Sequence, residues 1–228
     1  MDQEILIQSL GQHIDYLQSI FNWLIILSVV TAWAGIQRRE EVEVLGLKIA
    51  RRYAVYVICA LYLIVNMIVL IIFLRLGNLI SLIDDKNFLK GLSILVTHTW
   101  ILNPFSYFGN SRLARFYSCE GLGLLIVVWW LANASLSTLR DDKINNYALL
   151  LSTVFLLLGL VSMGAIFNVY QIIQKRLEYI NPDLSQAFSS VFSQELWASF
   201  LGVLVGLLAF VVANKLQKRL ILSHKAKS

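Results

Sequence analysis

The chain has 228 residues, 58% of them hydrophobic and 14% charged, with a net charge of +5. Soluble domains run closer to half apolar and a quarter charged. This composition therefore excludes an ordinary soluble enzyme or binding domain and points to a membrane protein. The basic balance does not point to nucleic acid, because Lys and Arg cluster beside apolar runs, as topology determinants and lipid-headgroup contacts do, and no nucleic-acid-binding module accompanies them.

Five runs, 17–36, 53–74, 121–139, 147–168 and 196–214, contain no Asp, Glu, Lys or Arg, and each is 19 to 22 residues long. A helix needs about 20 residues to cross a bilayer's hydrocarbon core. The expected fold is all-α: a polytopic helical bundle of five transmembrane helices plus an interfacial or re-entrant segment, forming a single membrane domain over 1–228. The longest stretch between runs, 75–120, is too short and too apolar for an independent soluble module.

The N-terminal arm, 1–16, carries Leu6, Leu10 and Ile14, and Leu17 and Phe21 continue the same stripe at helical spacing. An amphipathic lead-in to the first span is expected. Ala32-Trp33-Ala34 has the form of a signal-peptidase site, but Met1-Asp2-Gln3-Glu4 is acidic where a signal peptide is basic, so the first run is read as a retained helix.

Between the first two runs, Glu41–Ile49 alternates Glu and Val and then carries Gly46, a strand-like pattern compatible with a short hairpin. After the second run, 90–109 is nearly long enough to span. Lys90, His98, Asn103 and Pro104 make it costly in lipid. Trp100, Phe105, Tyr107 and Phe108, followed by Phe116 and Tyr117, resemble an interfacial aromatic belt. Beyond the fourth run, Asn181-Pro182-Asp183 breaks the helix, with Asn181 or Asp183 as a cap for the next one.

The positive-inside rule sets an expected orientation. Five spans with the N-terminus outside place twelve Lys and Arg on the cytoplasmic side and seven outside. Counting 90–109 as a sixth span leaves nine against ten, with no preference. The tail, 215–228, holds five basic residues and no acid, and is expected at anionic lipid on the cytoplasmic face.

Few polar residues lie inside the runs. Asn66, Asn133, Ser152, Thr153 and Ser162, with Arg75 at a mouth, are the candidates for a polar path; helix-to-helix hydrogen bonding is the simpler role. In the fifth run, Ala198, Gly202 and Gly206 fall on one helix face, the small-residue spacing that allows close helix approach. Cys59 and Cys119 lie towards opposite faces in the expected topology and do not suggest a disulfide. His13, His98 and His224 do not have metal-site spacing, and no H-E-x-x-H, nucleophile elbow or phosphate loop occurs.

The expected function is therefore non-enzymatic, with no catalytic residue, cofactor or metal. The chain reads as an oligomeric membrane subunit, anchor or sensor. Its expected partners are the lipid bilayer, further copies of itself and another protein component. The alternative is a channel or small-solute transporter using the polar candidates above. An intramembrane enzyme would have to gather His98, Asp84, Asp85 and Glu120 at one interface.

Overall fold

The computed structural model describes residues 2–37, 41–44, 47–105, 123–129, 131–132, 135 and 145–189. These form a predominantly helical bundle with one two-stranded hairpin. The elements are α1 (Gln3–Gln37), β1 (Glu41–Val44), β2 (Leu47–Ala50), α2 (Arg51–Leu82), α3 (Asp85–Thr97), α4 (123–129), α5 (Asn145–Ile180) and α6 (182–189). Among the described residues, three segments are long and apolar enough to cross a membrane: Gln3–Trp33, Tyr56–Leu82 and Leu157–Ile180. The third run is described only in part, and the fifth lies outside the described residues.

The arm and the first apolar run form one uninterrupted helix of 35 residues. The stripe Leu6, Leu10, Ile14, Leu17 and Phe21 is almost wholly buried. It packs within the chain itself, against α2, α3 and the segment that follows α3. Glu4 pairs with Lys90 at 3.8 Å, and Phe21 stacks on Trp100 at 5.6 Å between centroids. Gly91 of α3 leaves room for two side chains: a Cβ there would stand 2.9 Å from Ile83 Cδ1, just after α2, and 3.4 Å from Leu10 Cδ1 of α1.

The hairpin follows α1. β1 and β2 pair antiparallel, with Glu41 opposite Ala50 and Val44 opposite Leu47. The alternating pattern of 41–49 thus becomes a ladder rather than a helix, and α2 begins directly at Arg51.

α2 runs antiparallel to α1 and parallel to α5. Tyr62 meets Ser28 and Thr31 of α1, while the later Asp84 backbone N–H reaches Gln3 Oε1 at 3.0 Å. Gly77 faces Val169 and Ile172, and further along, the carbonyls of Ile80 and Ile83 meet Arg176. α4 runs with α1, since Trp129 contacts Phe21 and Asn66, and Ser135 reaches Tyr62.

α3 starts at a side-chain cap. The Asp84 carboxylate accepts the Asn87 backbone N–H at 2.8 Å, satisfying a donor that a helix N-terminus leaves free. At 13 residues α3 is about 20 Å long, too short to cross the hydrocarbon core. After it the chain turns inward. Asn103 is fully buried, donating to Leu95 O at 2.8 Å and accepting the Phe105 N–H at 3.0 Å. Trp100 and Phe105 are 4% and 1% exposed, so these two aromatics belong to the protein core, not to an interfacial belt. Tyr107, Phe108, Phe116 and Tyr117 lie outside the described residues.

Phe105 packs between Phe73 and Tyr170, and the Tyr170 hydroxyl donates to Pro104 O. Asn181 ends α5 and caps α6, its Oδ1 accepting the Leu184 N–H at 3.1 Å, with Pro182 at the first helical position.

Candidate functional site

The polar groups inside the apolar bundle gather around Tyr62. On α1, Ser28 and Thr31 are one turn apart. Their hydroxyls donate back to Leu24 O at 2.7 Å and Leu27 O at 2.6 Å, so each oxygen keeps lone pairs for an incoming donor. The Tyr62 hydroxyl lies 3.2 Å from Ser28 Oγ, 3.5 Å from Thr31 Oγ1 and 2.9 Å from Ser135 Oγ. Ser135 in turn donates to Ala132 O at 2.7 Å. One turn along α2, Asn66 donates to Tyr62 O at 3.3 Å and accepts the Trp129 indole N–H at 2.8 Å.

Tyr62, Thr31 and Asn66 are fully buried, and Ser28, Ser135 and Trp129 nearly so. The cluster joins three parts of the chain, α1, α2 and the 129–135 region. A polar group in an apolar interior is costly without a partner, and these groups supply one another's partners across helices. The arrangement bonds helix to helix.

The sequence candidates are distributed differently. Asn66 belongs to this cluster. Ser162 is buried on α5, and its hydroxyl is without a hydrogen-bond partner among the described residues. Arg75 is exposed on the outer face of α2. Ser152 and Thr153 lie in α5, but their side chains are outside what is described. Asn133, Ala198, Gly202 and Gly206 lie outside the described residues altogether. Sequence reading passed over Tyr62, Ser28, Thr31 and Trp129. The available signal was spacing: Ser28 and Thr31 at i, i+3, and Tyr62 and Asn66 at i, i+4, each on one helix face.

A second polar centre joins α2, α3 and α5. Arg176 Nη1 donates to Ile80 O at 2.8 Å and Ile83 O at 2.6 Å, where the end of α2 leaves carbonyls unpaired. Its Nη2 reaches Asp85 Oδ1 at 2.5 Å, and the guanidinium lies 4.5 Å from the Phe88 ring centroid. The Asp84-Asp85 pair is divided between two tasks. Asp84 caps α3, and Asp85 holds the arginine.

A third contact joins α1 to the end of α3. His98 Nε2 lies 3.0 Å from Asp15 Oδ1, and Nδ1 accepts the Trp100 N–H at 3.2 Å. An imidazole with its proton on Nε2 satisfies both contacts. His98 thereby fixes the start of the inward turn.

Comparison with family models, curated proteins and solved structures gives no match.

Proposed function

We propose that the chain is a non-enzymatic, multi-pass membrane protein that acts by association, as an anchor, sensor or oligomeric subunit for a partner component. The observation that carries this reading is the pairing of its interior polar groups. Tyr62 with Ser28, Thr31 and Ser135, and Asn66 with Trp129, hold helices together instead of leaving donors free along a track. Arg75 is exposed on α2, 13 residues beyond Tyr62.

In this reading the spans are 17–36, 53–74, 121–139, 147–168 and 196–214, with the N-terminus outside and the basic tail cytoplasmic. The face Ala198, Gly202 and Gly206 supplies close helix contact, in self-association or with the partner's helix. The lipid bilayer is the surrounding medium, and no cofactor is required.

A channel remains the second reading, and Ser162 favours it, as a buried hydroxyl without a hydrogen-bond partner among the described residues. Purified protein separates the two. The anchor reading expects a discrete native mass that includes a co-purifying protein or further copies, with no conductance in planar bilayers. Gly202→Leu or Gly206→Leu then dissociates the assembly. A single-channel conductance altered by Ser162→Ala would replace the anchor reading with the channel.

A further inference from the structure

The outward faces of α1, α2 and α5 each change from apolar to polar part-way along. On α1 the exposed side chains from 23 to 33 are Trp23, Ile25, Ile26, Val29, Val30 and Trp33. On the N-terminal side of Trp23 the exposed positions include Gln8, Gln12, Asp15, Ser19 and Asn22. On α2 every exposed described side chain in 53–74 is apolar or Tyr, and the next ones are Arg75, Asn78 and Ser81. On α5 the exposed face reads Leu157, Leu160, Val161 and Gly164, and then Asn168, Gln171, Lys175, Glu178 and Tyr179.

The packing brings these three changes within about two turns of one another. Gly77 of α2 lies beside Asn168, whose Nδ2 would be 3.9 Å from a Cβ at Gly77. Arg75 lies roughly 13 residues, or about 20 Å, beyond Tyr62, which on antiparallel α1 falls near Tyr16. Tyr16 and Trp23, both exposed, bracket the change on α1, where amphipathic rings sit at a headgroup layer. From Tyr53 to Leu74 the apolar band on α2 is about 32 Å tall, against about 30 Å for a hydrocarbon core.

Past this level the bundle continues. α3 lies there entirely, packed beside the first turns of α1. Its exposed positions include Asp85, Lys86, Lys90, Ser93 and Thr97, with Leu89 the apolar one. The buried face of the same helix, Phe88, Leu92 and Leu95, completes a small core with Leu6, Leu10 and Ile14. A helix with one buried apolar stripe and a charged opposite face is built for water.

We infer that the bilayer covers only the hairpin side of the bundle, up to the level of Arg75 and Asn168 and the Tyr16–Trp23 turns of α1. The first turns of α1, the last turns of α2 and α5, and all of α3 then form a helical cap standing in water. The cap rests on the membrane reading. It places 85–97 neither across nor within the lipid.

Single cysteines test this in isolated membranes opened by freeze–thaw, using a maleimide that reacts through the thiolate and hence in water. The background carries Cys119→Ser and keeps buried Cys59, whose labelling is subtracted. Gln12→Cys, Ser93→Cys and Lys175→Cys report on the cap. Val29→Cys, Ile71→Cys and Leu160→Cys report on the band, and all six positions are exposed, so none disturbs a packed core. The cap positions are expected to label on the order of tenfold faster or more, because thiolate is scarce in lipid. Protection of any one cap position to the level of Ile71→Cys overturns the cap and leaves the membrane reading standing. Equal, rapid labelling of all six positions overturns the membrane reading itself.

Discussion

The Tyr62 hydroxyl touches three other hydroxyls while its ring fills fully buried space between helices, so its two contributions are separable. Tyr62→Phe keeps the ring and removes the oxygen. Ser28, Thr31 and Ser135 retain their bonds to backbone carbonyls, so the expected cost is about 0.5–1.5 kcal/mol. Asn66→Leu is expected to cost more, about 1–3 kcal/mol, because it strands the buried Trp129 indole N–H. Thermal unfolding in detergent orders the two variants, and a Tyr62→Phe loss larger than that of Asn66→Leu would contradict this assignment. Asn66 was legible in sequence because an amide stands out in an apolar run. Tyr62 was not, because a tyrosine there reads as bulk, and only the fold shows which helices its hydroxyl faces. Ser28 and Thr31 are small enough to pass as neutral positions in a span, and their role depends on α2 lying opposite.

At the scale of elements, apolar runs located the helices but underestimated their length. The second run stops at Leu74 because Arg75 follows, and the fourth stops at Asn168, ahead of Lys175, whereas α2 continues to Leu82 and α5 to Ile180. Charge ends a lipid-facing surface; it does not end a helix whose other face still has a partner. The buried residues Leu76, Ile80, Ile173 and Leu177 carry the helical period past those limits. Arg176, counted in sequence as an orientation signal, is instead the tie between the end of α2 and the start of α3. Arg176→Met leaves two carbonyls unpaired and Asp85 without its partner, a loss of about 1.5–3 kcal/mol for bonds to a charged group. If α3 opens as a unit, its amides should exchange on the order of tenfold faster in hydrogen–deuterium exchange. Lys175→Met, at an exposed neighbouring position, serves as the control and should leave α3 protected. Unchanged exchange in Arg176→Met would show that α3 is held by its contacts with α1 alone. The hairpin was legible from its alternation because a period of two cannot sit on a helix face. The inward turn of 98–105 was not, because burying Asn103 depends on Leu95 O and the Phe105 N–H being within its reach.

For the molecule as a whole, two solvents imply two sources of stability. Where lipid surrounds the helices there is little hydrophobic drive between them, since a lipid tail is as apolar as leucine, and cohesion comes from packing and from bonds such as those of Tyr62 and Asn66. Where water surrounds them, burying Leu10, Ile14, Phe88 or Leu95 contributes about 1.5–3 kcal/mol each. The height of the apolar band then becomes a measurable property. A bilayer with about 30 Å of hydrocarbon matches the band on α2, whereas one about 8 Å thinner leaves roughly two turns of Ile, Leu and Met side chains in contact with headgroups and water. Reconstitution across lipids of graded chain length should give the highest unfolding temperature near the matched thickness and a fall towards the thinner bilayers. If α3 and the first turns of α1 were embedded as well, the apolar requirement would lengthen by about 20 Å along α1, beyond any ordinary bilayer, and stability would keep rising with thickness through the whole series. A maximum near 30 Å thus supports a bundle that is part membrane core and part aqueous cap, and a monotonic rise argues for full immersion.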